Sequence, residues 1–414
     1  MSHTTHIEDL DDDAFDPYIS DDAMFGVIED PYSPLAELRL IAPVVEGRVT
    51  WNIGLPAKLA RGYDHEYTVV SHAAVNQILN DPITFSVRPL GQLLSNYGPL
   101  LSGMDPPEHT GYRKIFQQVF RPAIVQQWAD DIVDPVIDEL IGSFRGSDRA
   151  ELVEDFSRPY PFHVVYRLLD LPPDDIEVFY RLTMAQIVTV NATEASDKLG
   201  RYFSRMMEER RAGPGSDLIS VVATTEMDGE LLPEDVAISF LLQLMSAAGE
   251  TTFRTTTALL TGLLTNVEQL DAVHDDRTLI PQAVEEALRW EGPVVMTTRS
   301  TTCDTVIDGV PVPANSLLNV SCGAANRDPE VFNEPDRFDI FRERHRHFGF
   351  AFGAHNCLGQ QLARVEMNRA LNAVIDQLPD IRLDPDQPAP RLRGSAMRTP
   401  RQLPVLFSGR RWRS

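Results

Sequence analysis

Cysteine is scarce in this chain: 414 residues hold only Cys303, Cys322 and Cys357. Three thiols cannot all pair, which argues against a disulfide framework and for a reducing compartment. Basic residues are also few. Against 61 Asp and Glu stand 37 Lys and Arg, a net charge of −24. So acidic a chain is a poor partner for nucleic acid or for an anionic membrane. Long hydrophobic runs are missing as well. The longest nearly apolar stretch, Val236 to Ala248, is interrupted by Ser239, Gln243 and Ser246. It is too short and too polar to span a bilayer. No basic segment followed by an apolar stretch opens the chain, which argues against a secretory signal. No internal repeat and no long Gly/Ser linker divides it. The expectation is a cytoplasmic protein without a membrane anchor. Its 43% of hydrophobic residues are ample for a large core.

The charge is unevenly spread. Eight acidic residues and no basic ones lie between Glu8 and Asp22, so residues 1–25 read as a solvated, flexible leader. Residues 26–414 read as one domain. The opposite bias appears at Arg342, Arg344 and Arg346, a basic cluster and candidate docking patch. Helical patterns dominate from about Asp105 to Arg289. Strand-like runs lie near 45–53, 66–70 and 304–320, with Asp308-Gly309 as a hairpin signal in the last. The fold class expected is mainly α with a small β part, an α+β single domain.

The most informative segment is Phe350-Ala-Phe-Gly353-Ala-His355-Asn-Cys357-Leu-Gly359. Gly353 permits a tight turn, because glycine tolerates backbone angles that a Cβ forbids. Gly359 lets backbone approach a flat ligand closely. A helical pattern begins at Leu358 and carries apolar Leu362, Val365, Leu371, Val374, Ile375 and Leu378. Cys357 therefore lies at a helix N-terminus, where the dipole favours a thiolate. Phe350 offers an aromatic wall, and His355 a donor for a carboxylate. The segment resembles the haem-binding loop of the cytochromes P-450, F-x-x-G-x-[RH]-x-C-x-G. The resemblance implies haem b with iron ligated by the Cys357 thiolate. It also implies contacts to the cofactor from Phe350, Gly353, His355 and Gly359. Many members carry Gly after the Phe, where this chain has Ala351.

Three further segments carry the resemblance. Pro233-Glu234-Asp235 starts a helix, with Pro in the first turn. It runs to about Leu264, long enough at 1.5 Å per residue to cross a domain. Mid-helix, Ala247-Ala248-Gly249-Glu250-Thr251-Thr252 places a carboxylate and hydroxyls in an apolar run. This is similar to the [AG]-G-x-[DE]-T-[TS] motif of the P-450 distal helix, which opens beside the haem to make an oxygen pocket. The resemblance assigns proton delivery to Glu250 and Thr251 and a place against the cofactor to Ala248. Glu286-Ala-Leu-Arg289 puts two opposite charges on one helix face. It matches the E-x-x-R pair, buried with a later Arg on the proximal side; Arg337 is the expected third member, with Arg342 the alternative. Asp105-Pro-Pro-Glu108-His109 reads as a capped helix start, with His109 and Arg113 on one face. The stretch resembles P-P-x-H-x-x-x-R, whose His and Arg hold a haem propionate. Arg299 matches another propionate contact.

Taken together, the resemblance spans nearly the whole chain after the leader. It implies a cytochrome P-450-like fold, with the long distal helix over the haem and the Cys loop on the proximal side. The activity implied is a monooxygenase reaction, one oxygen atom of O2 inserted into a hydrophobic small molecule. No flavin or iron–sulfur domain is evident in the sequence. Electrons are therefore expected from a separate ferredoxin and an NAD(P)H-dependent ferredoxin reductase. Two other classes account for part of the pattern. A zinc site from His345, His347, His355 and Cys357 ignores the glycines and Glu250-Thr251. A haem sensor or carrier without turnover needs the Cys loop but not Glu250 and Thr251. Pocket walls are expected at Leu90 to Leu101, Leu182 to Val190, Val294 to Thr297 and Ala396-Met397, mostly apolar.

Overall fold

Helices build most of the molecule, as a computed structural model describes it for residues 26–47, 61–188 and 192–408. The acidic leader and residues 48–53 of the first strand-like run lie outside the described residues, as do 189–190 of one pocket wall. The helices that frame the site are α1 (Glu108–Phe116), α2 (Pro159–Leu168), α3 (Ile176–Val188), α4 (Glu234–Thr265), α5 (Ile280–Trp290) and α6 (Gln360–Gln377). Pro233 precedes α4, and Glu234 and Asp235 in its first turn complement the helix dipole. At 32 residues, α4 is about 48 Å long and crosses the whole domain. By length and composition α4 would pass for a membrane span, but most of it is buried inside the protein. It packs against α2, α5 and α6. Gly249 permits the approach of α2, and Gly262 that of a later loop. A Cβ on Gly249 would lie 2.6 Å from the Phe162 ring of α2, and one on Gly262 2.8 Å from Phe338.

The β part is small and lies to one side. A five-stranded sheet is built from β1 (Val44–Glu46), β2 (His65–Val69), β3 (Phe85–Ser86), β4 (Thr297–Thr301) and β7 (Ser316–Val320), in the order β1-β2-β7-β4-β3. Only the β2–β7 pair is parallel. Between β4 and β7, β5 (Thr305–Ile307) and β6 (Val310–Val312) form the hairpin expected at Asp308-Gly309. Both turn residues have positive φ, 45° and 82°, as a two-residue turn of this kind requires. A second sheet joins Arg149–Glu151, Arg382–Leu383 and Pro404–Leu406. The architecture is the α+β class expected, with helix in large excess.

Two sequence expectations differ locally. Helix α6 starts at Gln360 rather than Leu358, with Gly359 as its N-terminal boundary. Asp105 and Glu108 form no capping box. Asp105 turns back and accepts from the Val87 N–H at 2.9 Å and from the Ser86 hydroxyl, so it fastens β3 instead. Pro107 occupies the cap position of α1, without a side-chain bond.

Candidate active site

Cys357 sits at the end of a tightly folded loop. Its N–H donates to the Phe350 carbonyl at 2.9 Å, closing the segment on itself. Gly353 has φ +72°, and a Cβ there would fall 2.1 Å from the Leu79 carbonyl oxygen. Only glycine fits that turn. Ala351 also takes a left-handed conformation, φ +54°. Phe350 is partly buried in the main core, with the Arg364 guanidinium over its ring at 4.6 Å. Burial pushes the Cys357 thiol up, while the Gly359 N–H and the Arg113 and Arg364 charges pull it down. Its surface is nonetheless accessible. A side chain that is both solvent-accessible and desolvated faces an internal cleft rather than open water.

Across the described helices, α4 shows a matching break in burial. Nearly every residue from Val236 to Leu264 is buried, yet Ala247 is exposed and Gln243, Ala248 and Thr251 are half-buried. Positions 243, 247 and 251 lie four apart, on one face. That stripe is the open face of the helix. Thr251 donates its hydroxyl to the Ala247 carbonyl at 2.6 Å, and Thr255 repeats the pattern on Thr251 at 2.9 Å. The helix is continuous through Ala247–Thr252. The opening implied by the resemblance is absent here, because the threonine hydroxyls bond back to carbonyls while the helical ladder stays intact. Gly249 points away from the stripe, onto Phe162. Glu250 points away as well. It is fully buried, and the Arg254 Nε donates to its carboxylate at 2.6 Å. Thr251, but not Glu250, is on the open face.

The residues read as carboxylate contacts do come together. The His109 and His355 rings lie against each other, tilted by 32°, with 3.9 Å between centroids. His109 Nε2 and both ring nitrogens of His355 are buried without a partner. Burial lowers the His109 pKa to about 4 and the His355 pKa to about 3, with neighbouring positive charge adding to both. Arg299, in β4, is buried too and pushed down to about 10 by desolvation. It donates to the Thr298 carbonyl at 2.7 Å. Arg113 reaches the Asn356 carbonyl at 2.8 Å, beside Cys357. Unpartnered buried polar groups cost about 1–3 kcal/mol each, and here they gather with two arginines. Such a cluster fits the carboxylates of an anionic cofactor. At Gly359 an added Cβ would meet no atom within 4 Å, so the backbone there is bare on that side. These features fit haem.

The Glu286–Arg289 pair is buried, with both forks at 2.7 Å. Arg289 also donates to the carbonyls of Asn326, Pro335 and Arg337. The third member is Arg342, whose Nε lies 3.3 Å from Glu286. The expectation of Arg337 was wrong. Arg337 contributes its backbone carbonyl, and its exposed side chain pairs with Glu334 at 3.5 Å. The zinc reading fails on geometry. His347 bonds Glu285 at 3.0 Å and His345 lies 4.0 Å from Glu343. Among the described residues no group of three or more His, Cys, Asp and Glu is arranged to hold a metal.

Two buried ionisable residues were not singled out from the sequence. Arg254 follows Glu250 by four residues, a helical pairing interval that was legible. Glu366 lies in α6 between Leu362 and Ala370, on the buried face. Burial raises its carboxyl to about 8, and the Thr252 hydroxyl bonds it.

Comparison with known proteins places this geometry. The cytochrome P450 family model matches residues 162–404. Cytochrome P450 monooxygenase PikC of Streptomyces venezuelae is 32% identical over 86% of this chain and 85% of its own. The solved structure of CYP109E1 from Bacillus megaterium in complex with testosterone superposes with TM-score 0.80 at 25% identity. It covers 92% of this chain and 99% of that one. Cytochrome P450 PksS of the Bacillus subtilis bacillaene polyketide synthase gives TM-score 0.82 at 26% identity, covering 95% and 100%. The chain belongs to the cytochrome P450 family. It is a monooxygenase acting on small organic substrates, and it binds haem b with cysteine thiolate ligation of the iron. Bacterial members of the family generally draw electrons from redox partners.

Proposed function

We propose that Cys357 would be the thiolate ligand of the haem iron and that Thr251 would govern proton supply from the open face of α4. The single observation that carries this is the pairing of two breaks in burial. Cys357 is accessible at the end of a desolvated loop, and Ala247 and Thr251 form an open stripe on an otherwise buried helix. Haem, when bound, supplies oxygen activation, and thiolate ligation favours O–O cleavage. This chain's residues hold it and control access. His109, Arg113, Arg299 and His355 would hold the propionates. Phe350, Gly353, Gly359 and Ala248 would pack against the macrocycle. The Thr251 hydroxyl sits on the open face and is suited to order a proton donor there. Glu250, by contrast, is engaged by Arg254.

The substrate is an apolar organic molecule, since the expected pocket walls are mostly apolar. PksS belongs to a polyketide synthase system and CYP109E1 was solved with testosterone; both point to large, weakly polar compounds. The electron donor is a ferredoxin, supplied by an NAD(P)H-dependent reductase, in the cytoplasm. The test is Thr251→Ala. Haem uptake and ligand binding should stay near wild type, while product formed per NAD(P)H falls several-fold and peroxide rises. Full coupling in the variant would reduce Thr251 to a residue that bonds its own helix.

A further inference from the structure

Arg254 is a buried cation with two kinds of partner. Its side chain and that of Glu250 are 3% and 2% exposed. Nε and Nη2 both donate to Glu250 Oε1. Nη1 leaves the helix and donates to the backbone carbonyl of Met397. A lysine, with one compact ammonium, cannot span both partners as this planar fork does.

The turn that receives this bond is strained and pinned at several points. Met397 has φ +48°, costly for a residue with a Cβ. Its N–H donates to the Pro293 carbonyl at 2.9 Å, and Arg393 and Thr399 close the loop by paired backbone bonds. On its far side Arg398, also buried, donates to Glu291 at 2.9 Å and to the Gly394 carbonyl at 2.6 Å. Two pocket walls are thereby joined, since Pro293 leads into Val294–Thr297. Arg254 links those walls to the helix that carries Ala247 and Thr251.

We propose that Arg254 is a positioning residue for substrate choice: it fastens the Ala396–Met397 turn to α4, with Glu250 as its counter-charge. This rests on the reading that the turn lines the substrate pocket. Glu250 is then part of an anchor. Its carboxylate compensates a charge that would otherwise be buried alone, a strongly unfavourable state. Holding the turn in a left-handed conformation fixes how far it projects toward Thr251 and so which ligands fit.

The test uses the haem-loaded full chain and two azoles that ligate haem iron, imidazole and the bulkier 4-phenylimidazole. Two readouts are followed. One is amide hydrogen exchange at Met397 and Thr399. The other is the ratio of the two azole dissociation constants from the Soret shift. Arg254→Met should speed exchange at least tenfold and change the ratio at least fivefold, with Arg254→Lys intermediate. Met397→Gly, which relaxes the turn, should be non-additive with Arg254→Met in that ratio. Wild-type exchange and ratio in Arg254→Met would overturn the proposal. If that variant takes up no haem, wild-type values in Arg254→Lys overturn it equally. Faster exchange with an unchanged ratio also overturns it, and traces the failure to the pocket reading of the turn rather than to the anchoring.

Discussion

Ala351 shows what a single residue can hide. The sequence places it beside Phe350, where many relatives carry glycine, and suggests only an extra methyl near the cofactor. The structure gives it φ +54°, a region that costs a residue with a Cβ about 1–2 kcal/mol. Ala351→Gly should therefore stabilise the protein by about 1 kcal/mol, less whatever glycine gains in the unfolded chain. A urea titration reads this as a higher midpoint at unchanged slope. An equal or lower midpoint would mean that the loop holds its shape without strain at this position. Cys357, Gly353, His355 and the Glu286–Arg289 pair were legible because each needs a particular residue type at a particular spacing. The choice of Arg342 over Arg337 was not. Both arginines follow in the right order, and which one turns its guanidinium inward depends on packing of a loop that lacks periodicity.

Helix α4 was legible in outline and not in orientation. Its start, length and polar interruption follow from Pro233 and the apolar run, but residues 247–252 contain small and polar side chains on every face. Burial alone separates the open stripe of Ala247 and Thr251 from Glu250, which turns to Arg254, and from Gly249, which admits Phe162. Between α4 and α6 lies a third group, the buried Glu366, with the Thr252 hydroxyl as its hydrogen-bond partner and the Tyr160 phenol nearby. Its carboxyl is raised from 4.5 to about 8 by burial. The sign follows directly. Below pH 4.5 the acid is neutral in both folded and unfolded chains, and it contributes no pH dependence. Between 4.5 and about 8 the unfolded chain ionises first, so folding stability falls as pH rises; above 8 the loss is complete. Glu366→Gln, which keeps a neutral side chain, should remove that slope and raise stability at pH 8 by a few kcal/mol. Parallel pH profiles of the two proteins, measured by denaturant unfolding, would contradict this.

At the scale of the molecule, the fold class and the family were legible because four segments occur in one order over about 250 residues. Which faces of α4 and of the Cys loop stay open was not, since that depends on tertiary packing. Charge acts at this scale too. With a net charge of −24, the proposed ferredoxin donor, if acidic, would be repelled from most of the surface and admitted where arginines gather. Arg342 is withdrawn from that patch by Glu286, but Arg344 and Arg346 remain exposed, and Arg346 lies over the Phe352 ring of the Cys357 loop at 3.9 Å. Arg344→Glu with Arg346→Glu should slow reduction by the ferredoxin about tenfold at low salt, with the gap closing as salt rises. Equal rates in stopped-flow reduction, insensitive to salt, would place docking elsewhere. The central claim is the iron ligand, and the most direct measurement is the absorption spectrum of the reduced carbon monoxide complex of Cys357→Ser beside the wild type. The wild-type protein should show the red-shifted Soret band that thiolate ligation produces, and the variant should lack it. A red-shifted band that persists in Cys357→Ser would contradict the assignment of Cys357.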